Sequence, residues 1–175
     1  MEIERLKYPI GKFVPPDVIT PQIIRTWITE IEQLPATLNG TLEGISERAL
    51  DTPYRPEGWT VRQVVHHLAD SHINSYIRFR WTLTEDTPVI KAYNQAEWAK
   101  LPDAIFGDVN LSVRLLEAVH ARWLVLLKVM TMDDMERSYI HPESNAEFKL
   151  SRVVGLYAWH GKHHLAHIQN LLKSL

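Results

Sequence analysis

The chain has 175 residues, nine histidines, no cysteine and a formal net charge of −2. That length suits one domain over residues 1–175, since single cores run to about 100–200 residues, and 45% hydrophobic with 23% charged residues is a globular rather than a disordered composition. A charge near zero without a basic block excludes an electrostatic footprint for nucleic acid, and the missing cysteines exclude disulfides, thiolate zinc sites and a cysteine nucleophile. The longest uninterrupted apolar run, Trp123-Leu124-Val125-Leu126-Leu127, is far short of the ~20 residues of a membrane span. Met1-Glu2-Ile3-Glu4-Arg5 lacks the basic-then-apolar pattern of a secretory signal, so a cytoplasmic protein is expected.

Residues 1–19 read as an extended arm, because Pro9, Gly11, Pro15 and Pro16 oppose regular helix. Thr20-Pro21 then starts a helix, with Thr as N-cap and Pro at the first helical position, and Ile23, Ile24, Trp27, Ile28 and Ile31 follow at helical spacing. The sequence leaves open whether Pro35 kinks or ends it. Asp51 to Gly58 is a Pro-rich loop. Trp59-Thr60 opens a second helix, Thr60 and Gln63 having capping-box spacing, and its buried face (Val61, Val64, Val65, Leu68, His72, Ile73) runs towards Leu83.

Thr84 to Gly107 is a long connection with a short helical piece near Trp98. A third helix spans about Asn110 to Met130, with Leu116, Val119, Trp123, Leu127 and Met130 on one stripe. Met132 to Lys149 is a second long connection, in which 140–150 is the one candidate for a short hairpin. The last helix begins near Leu150-Ser151 and runs almost to the C-terminus. The expected architecture is therefore all-α: a four-helix bundle with long connections. Ile45-Ser46 with Leu50 and Tyr54 also echoes Met130-Thr131 with Met135 and Tyr139 at a constant offset, as two related helix–loop–helix halves would.

Four histidines lie between His160 and His167. At about 100° per residue, His160, His164 and His167 share a face with Val153, Leu156, Tyr157 and Leu171, while Lys162, Gln169 and Lys173 lie opposite. Inward-facing imidazoles need partners, because buried polar groups are otherwise costly. His160 and His164 stand at i,i+4, which stacks two rings within reach of one metal ion. His163 and His167 form a second i,i+4 pair, though His163 leans to the flank near Asn170. No Glu lies between the first pair, so this is not the zincin arrangement.

A catalytic metal wants three protein ligands and one open position. On the second helix His66 points away from the apolar centre and His72 lies within it, while His67 sits at its edge, heading a polar strip with Ser71, Asn74 and Arg78. His120 points inward on the third helix as a core residue or a partner of a ligand, and His141 reads as surface. This pattern leaves His67 and His120 both open as the third ligand, the edge position favouring His67.

Three stretches together resemble a known family. They are Tyr8-Pro9-Ile10-Gly11-Lys12-Phe13, Gly58-Trp59-Thr60-Val61-Arg62-Gln63-Val64-Val65-His66-His67-Leu68-Ala69-Asp70-Ser71-His72, and Gly155-Leu156-Tyr157-Ala158-Trp159-His160-Gly161-Lys162-His163-His164-Leu165-Ala166-His167-Ile168. They are similar to the YfiT-like metal-dependent hydrolases of the DinB-like superfamily. The resemblance implies a four-helix bundle, one divalent metal per chain (zinc first, nickel as alternative), and a homodimer. It also implies three histidine ligands, which fall here on His67, His160 and His164.

Three neutral imidazoles leave an ion its full charge, which suits activation of water for hydrolysis. The motifs offer no evident general base, since Asp70 points away from His67. The resemblance also implies a second reading, since related members of the superfamily are similar to thiol S-transferases: the metal activates a bacillithiol-type low-molecular-weight thiol, which needs no dedicated base, with Arg78 and Arg80 meeting an anionic cofactor. A third is a non-catalytic metal- or ligand-binding module.

Overall fold

A computed structural model of the chain describes residues 2–175. In chain order the elements are α1 (Glu2–Lys7), α2 (Pro21–Leu42), α3 (Glu47–Leu50), α4 (Val61–Thr84), α5 (Gln95–Trp98), α6 (Pro102–Phe106), α7 (Val109–Leu127), α8 (Met132–Glu136), β1 (Ser138–His141), β2 (Ala146–Lys149) and α9 (Leu150–Leu172). The four long helices α2, α4, α7 and α9 form the bundle: α2 and α4 each pack against both α7 and α9.

The signals that start these helices act locally. The Thr20 hydroxyl accepts from the Ile23 N–H at 3.3 Å ahead of Pro21. At α4 both halves of the capping box form: Gln63 N donates to Thr60 Oγ1 at 3.2 Å, and Thr60 N donates to Gln63 Oε1 at 2.9 Å. Such caps contribute about 1 kcal/mol each. The start of α4 is then clamped by the buried Arg62, which pairs with Glu47 at 2.5 Å and Asp51 at 2.8 Å and donates to the Gly107 carbonyl at 2.9 Å.

Several expectations need correction. The arm is not wholly extended, because Glu2–Lys7 winds into a helix: Glu, Arg, Leu and Lys are good helix formers, and the obstructing residues begin only at Pro9. Met1 of that arm lies outside the described residues. Pro35 neither ends nor interrupts α2, which continues to Leu42 with Pro35 buried inside it; packing on two neighbouring helices outweighs a lost backbone bond. The third long helix stops at Leu127 rather than Met130.

The connections hold four short helices, of which the sequence signals only the piece at Trp98. The internal echo marks two of them: Ser46 caps α3 and Thr131 caps α8, each after one long helix and before another. The hairpin pairs Ser138 with Lys149 through His141 with Ala146, and the 84–95 segment joins its edge by Ile90 N–H to Ile140 O at 3.1 Å.

The core is split in two. One cluster contains Ile24, Ile28, Ile31, Phe79, Trp123, Leu127, Leu150 and Val153. The other contains Leu34, Leu38, Val64, Val65, Leu68, Leu116, Leu165 and Ile168. Along every long helix the break falls at the same level, and there His72, His120 and His160 occupy the interior. Helices α2 and α9 approach closely through glycine: a Cβ at Gly155 would lie 2.8 Å from two atoms of the Trp27 ring, and one at Gly161 would lie 2.5 Å from Leu34 Cδ2.

The two glycines should respond differently to alanine. Gly155→Ala drives a methyl into a rigid indole, an overpacking of about 1–3 kcal/mol that exceeds the helix-propensity gain of about 1 kcal/mol. Gly161→Ala meets only the end of a flexible leucine, so its loss is smaller. Chemical denaturation of the two variants checks the order.

Candidate metal centre

Helix α4 contributes His67, and α9 contributes His160 and His164, one turn apart. One ring nitrogen from each of the three lies within 4.8 Å of the others. His67 Nε2 and His160 Nε2 face each other at 3.2 Å. The rings meet at steep angles, His67 on His164 at 71° and His160 on His164 at 72°, so edges bearing nitrogen converge rather than stack. His67 is 5% exposed and His164 8%, while His160 is partly open to the adjoining cavity.

Burial favours the neutral form of an imidazole. It pushes His67 down to about 4 and holds His160 and His164 well below the usual histidine range, with the neighbouring imidazoles adding to the shift. At neutral pH the three rings therefore each carry a lone pair, as metal ligation requires. His164 Nδ1 is buried without a hydrogen-bond partner.

The cavity they border measures about 390 Å³. Its other walls include Tyr54, Arg55, Glu57, Trp59, Gln95 and Trp159. Three of these six come from the Asp51–Gly58 loop, which reads in sequence only as a Pro-rich connection. The signal that could have marked it is adjacency: the loop runs directly into the helix carrying His67. Arg55-Pro56-Glu57-Gly58 forms a turn closed by Gly58 N–H to Arg55 O at 3.0 Å. Glu57 takes φ +57° there, a conformation that favours glycine. Glu57 is the one carboxylate on the cavity wall among the described residues. A larger groove of about 620 Å³, between residues 15–19 and the start of α9, has no histidine in its lining.

A second group, His163, His164 and His167, also places one nitrogen each within 4.8 Å. It shares His164 with the first. His163 is stacked on Trp159 at 4.5 Å between ring centroids, and His167 on Tyr54 at 4.0 Å. His167 Nε2–H donates to the Lys7 carbonyl at 3.2 Å, so the N-terminal arm packs over this flank.

The remaining histidines sort clearly. His66 is buried rather than turned to solvent: its Nε2–H donates to Gly107 O at 3.2 Å and its Nδ1 accepts from Ser112 at 2.7 Å. The cause is tertiary, because α6 and the start of α7 cover a helix face that is polar in sequence. His72 and His120 are buried together at the level of the core break, His72 Nε2 lying 3.3 Å from His160 Nδ1. His141 lies in the hairpin against Phe148. Asp70 is half-buried and raised to about 6, first by burial and then by Asp103, but it does not line the cavity. Neither do Arg78 and Arg80: Arg78 is buried and reaches the Lys91 carbonyl at 3.4 Å, and Arg80 donates to the Tyr76 hydroxyl at 3.0 Å. The guanidinium on the wall is that of Arg55. No helix among the described residues is long and apolar enough to cross a membrane.

Known proteins share both the fold and the sequence. A protein of Bacillus cereus named as a candidate metal-dependent hydrolase is 51% identical over 170 residues, covering 97% of each chain. A similarly named protein of Bacillus thuringiensis subsp. konkukian matches to the same extent. The solved structure of YfiT from Bacillus subtilis, described as a probable metal-dependent hydrolase with an unusual four-helix bundle topology, superposes with a TM-score of 0.95 at 45% identity over 97% of both chains. A mycothiol-dependent maleylpyruvate isomerase shares the fold alone, with a TM-score of 0.63 at 16% identity, covering 83% of this chain and 60% of that one. The sequence-family model of the DinB superfamily matches residues 30–168. This chain therefore belongs to the DinB superfamily and is of the YfiT type.

Proposed function

We propose that His67, His160 and His164 hold one divalent metal ion, and that this centre hydrolyses a small molecule bound in the adjoining cavity. The observation that carries the reading is the convergence of three neutral imidazoles from two helices at a cavity wall, two of their nitrogens only 3.2 Å apart. With both lone pairs turned inward these nitrogens repel unless a cation lies between them; without the ion, a hydrogen on one of them makes the contact an N–H···N hydrogen bond. Neutral imidazoles suit zinc and nickel alike, with zinc the first expectation. Three protein ligands correspond to a catalytic site with an open position, whereas a structural zinc site is closed by four. The names of relatives 51% identical to this chain point to the same chemistry.

The second histidine triad supports the reading less well. Its members all come from α9, and two of its rings are already stacked on Trp159 and Tyr54. The two triads share His164, so a second dication would lie close to the first, and only a single carboxylate lines the space to offset the added charge.

A divalent ion at the first triad supplies Lewis acidity, polarising a substrate oxygen or acidifying water. The chain's own residues do the rest. Trp59 and Trp159 provide flat apolar walls, Arg55 meets an anionic substituent, and the Glu57 carboxylate takes up the proton released in hydrolysis. Glu57 holds a backbone conformation that glycine would adopt with less strain, as residues at functional sites often do. A thiol S-transferase is the second reading. It is favoured by the single carboxylate on the wall, because a metal-activated thiolate needs no dedicated base. Pairing of two chains and a cytoplasmic location belong to the same proposal.

Metal analysis tests the ligands: His160→Ala and His164→Ala should fall well below one ion per chain, whereas His141→Ala should retain it. Acid should release the ion, because a protonated imidazole cannot ligate. The metal-free fold weakens in the same direction. Burial holds His67 and His120 near 4 against an ordinary value of 6.5, so between these values the unfolded chain binds more protons than the folded one. Stability is full above pH 6.5 and declines towards pH 4, which melting curves at pH 7.5 and 5 would register.

Activity is decided by challenging metal-loaded protein with ester and amide panels, and separately with a thiol and an electrophile. Turnover of esters or amides supports the hydrolase, turnover of the thiol pair alone supports the transferase, and inertness towards all of them favours a binding module. In a hydrolase, Glu57→Gln should lower turnover by roughly 10²-fold or more with metal content unchanged.

A further inference from the structure

His160 makes close polar contacts through both ring nitrogens, and the contact away from the cavity is the first link of a chain. His160 Nδ1 lies 3.3 Å from His72 Nε2, His72 Nδ1 lies 2.9 Å from His120 Nε2, and His120 Nδ1 lies 2.8 Å from the Ile31 carbonyl. His72 and His120 are at most 1% exposed. Among the described residues, no carboxylate bonds to any of the three rings.

The direction of this chain follows from its far end. A carbonyl oxygen only accepts, so His120 Nδ1 carries hydrogen and donates to Ile31. A neutral imidazole has one N–H and one lone pair, which leaves His120 Nε2 as an acceptor. His72 Nδ1 must then donate to it, leaving His72 Nε2 as an acceptor in turn. His160 Nδ1 donates to that atom. The only lone pair remaining on His160 is on Nε2, the nitrogen that faces His67 Nε2 at 3.2 Å.

The anchor has its own sequence cause. Within an α-helix the Ile31 carbonyl ordinarily accepts from the N–H of residue 35. Residue 35 is proline, which has no N–H. Pro35 lies inside α2 without ending it, and the carbonyl it leaves free is the one His120 uses.

We infer that His72 and His120, seated on the Ile31 carbonyl freed by Pro35, are positioning residues that hold His160 as its Nδ1–H tautomer with the Nε2 lone pair presented to the metal centre. The inference rests on the ligand assignment proposed above. Core packing alone would require these rings to be satisfied but would not require the lone pair to emerge at the cavity. Partners of this kind are worth about 10–100-fold in metal affinity.

Two measurements test it. Long-range proton–nitrogen correlation spectra of the metal-free protein at neutral pH should show His120, His72 and His160 all protonated on Nδ1. A His160 protonated on Nε2 overturns the inference. Zinc affinity, measured by competition with a chromophoric chelator, should fall about 10–100-fold in His72→Leu. His72→Gln should recover most of it, since its amide oxygen accepts from His160 and its amide N–H donates to His120. Wild-type affinity in a folded His72→Leu overturns the relay; if that variant does not fold, the spectra of the unaltered protein decide. His160→Ala separates the two levels: unchanged zinc affinity there defeats the ligand assignment itself, whereas loss there with none in His72→Leu defeats the relay alone.

Discussion

Burial of imidazole in the interior of a helical bundle is the constraint on which the rest depends. An uncompensated polar group in an apolar core is unfavourable by about 1–3 kcal/mol in mutational data, and this bundle carries several of them at one level. The two hydrophobic clusters stop on either side of that level. The histidines between them are accommodated because they meet one another, a backbone carbonyl and the wall of a cavity. Breaking the apolar core is thus not a local defect but the condition for having a donor set inside the protein.

The long connections serve that arrangement. Helix α4 is held at its start by Arg62, which ties α3, its following loop and the turn before α7 to one guanidinium. That fixes the height at which His67 meets α9. The loop ahead of α4 folds over the same end and contributes Tyr54, Arg55, Glu57 and Trp59 to the cavity, while the N-terminal arm closes the opposite flank through the Lys7 and Gly11 carbonyls, which accept from His167 and Trp159. The bundle supplies the rings and the irregular segments supply the enclosure.

Pro35 shows how a residue that is unfavourable locally can be favourable globally. In isolation it argues against a continuous helix. In the bundle, α2 continues through Pro35 while packed against α7 and α9, and the vacated hydrogen-bonding capacity is used by a side chain from α7. A reading confined to helix propensity sees only the lost bond.

The four long helices, their starts at Pro21, Val61 and Leu150, and the shared face of His160 and His164 were legible in the sequence, because capping residues and 3.6-residue periodicity act over a few positions of chain. The resemblance to a known family points to His67, to which periodicity alone gives only a modest lead over His120. What the sequence could not decide was anything that depends on which element covers another. The burial of His66, the persistence of α2 through Pro35, and the use of Arg55 rather than Arg78 or Arg80 at the cavity all follow from contacts between residues far apart in the chain. Helical periodicity specifies the direction in which a side chain leaves its own helix; only the packed bundle determines what it meets there.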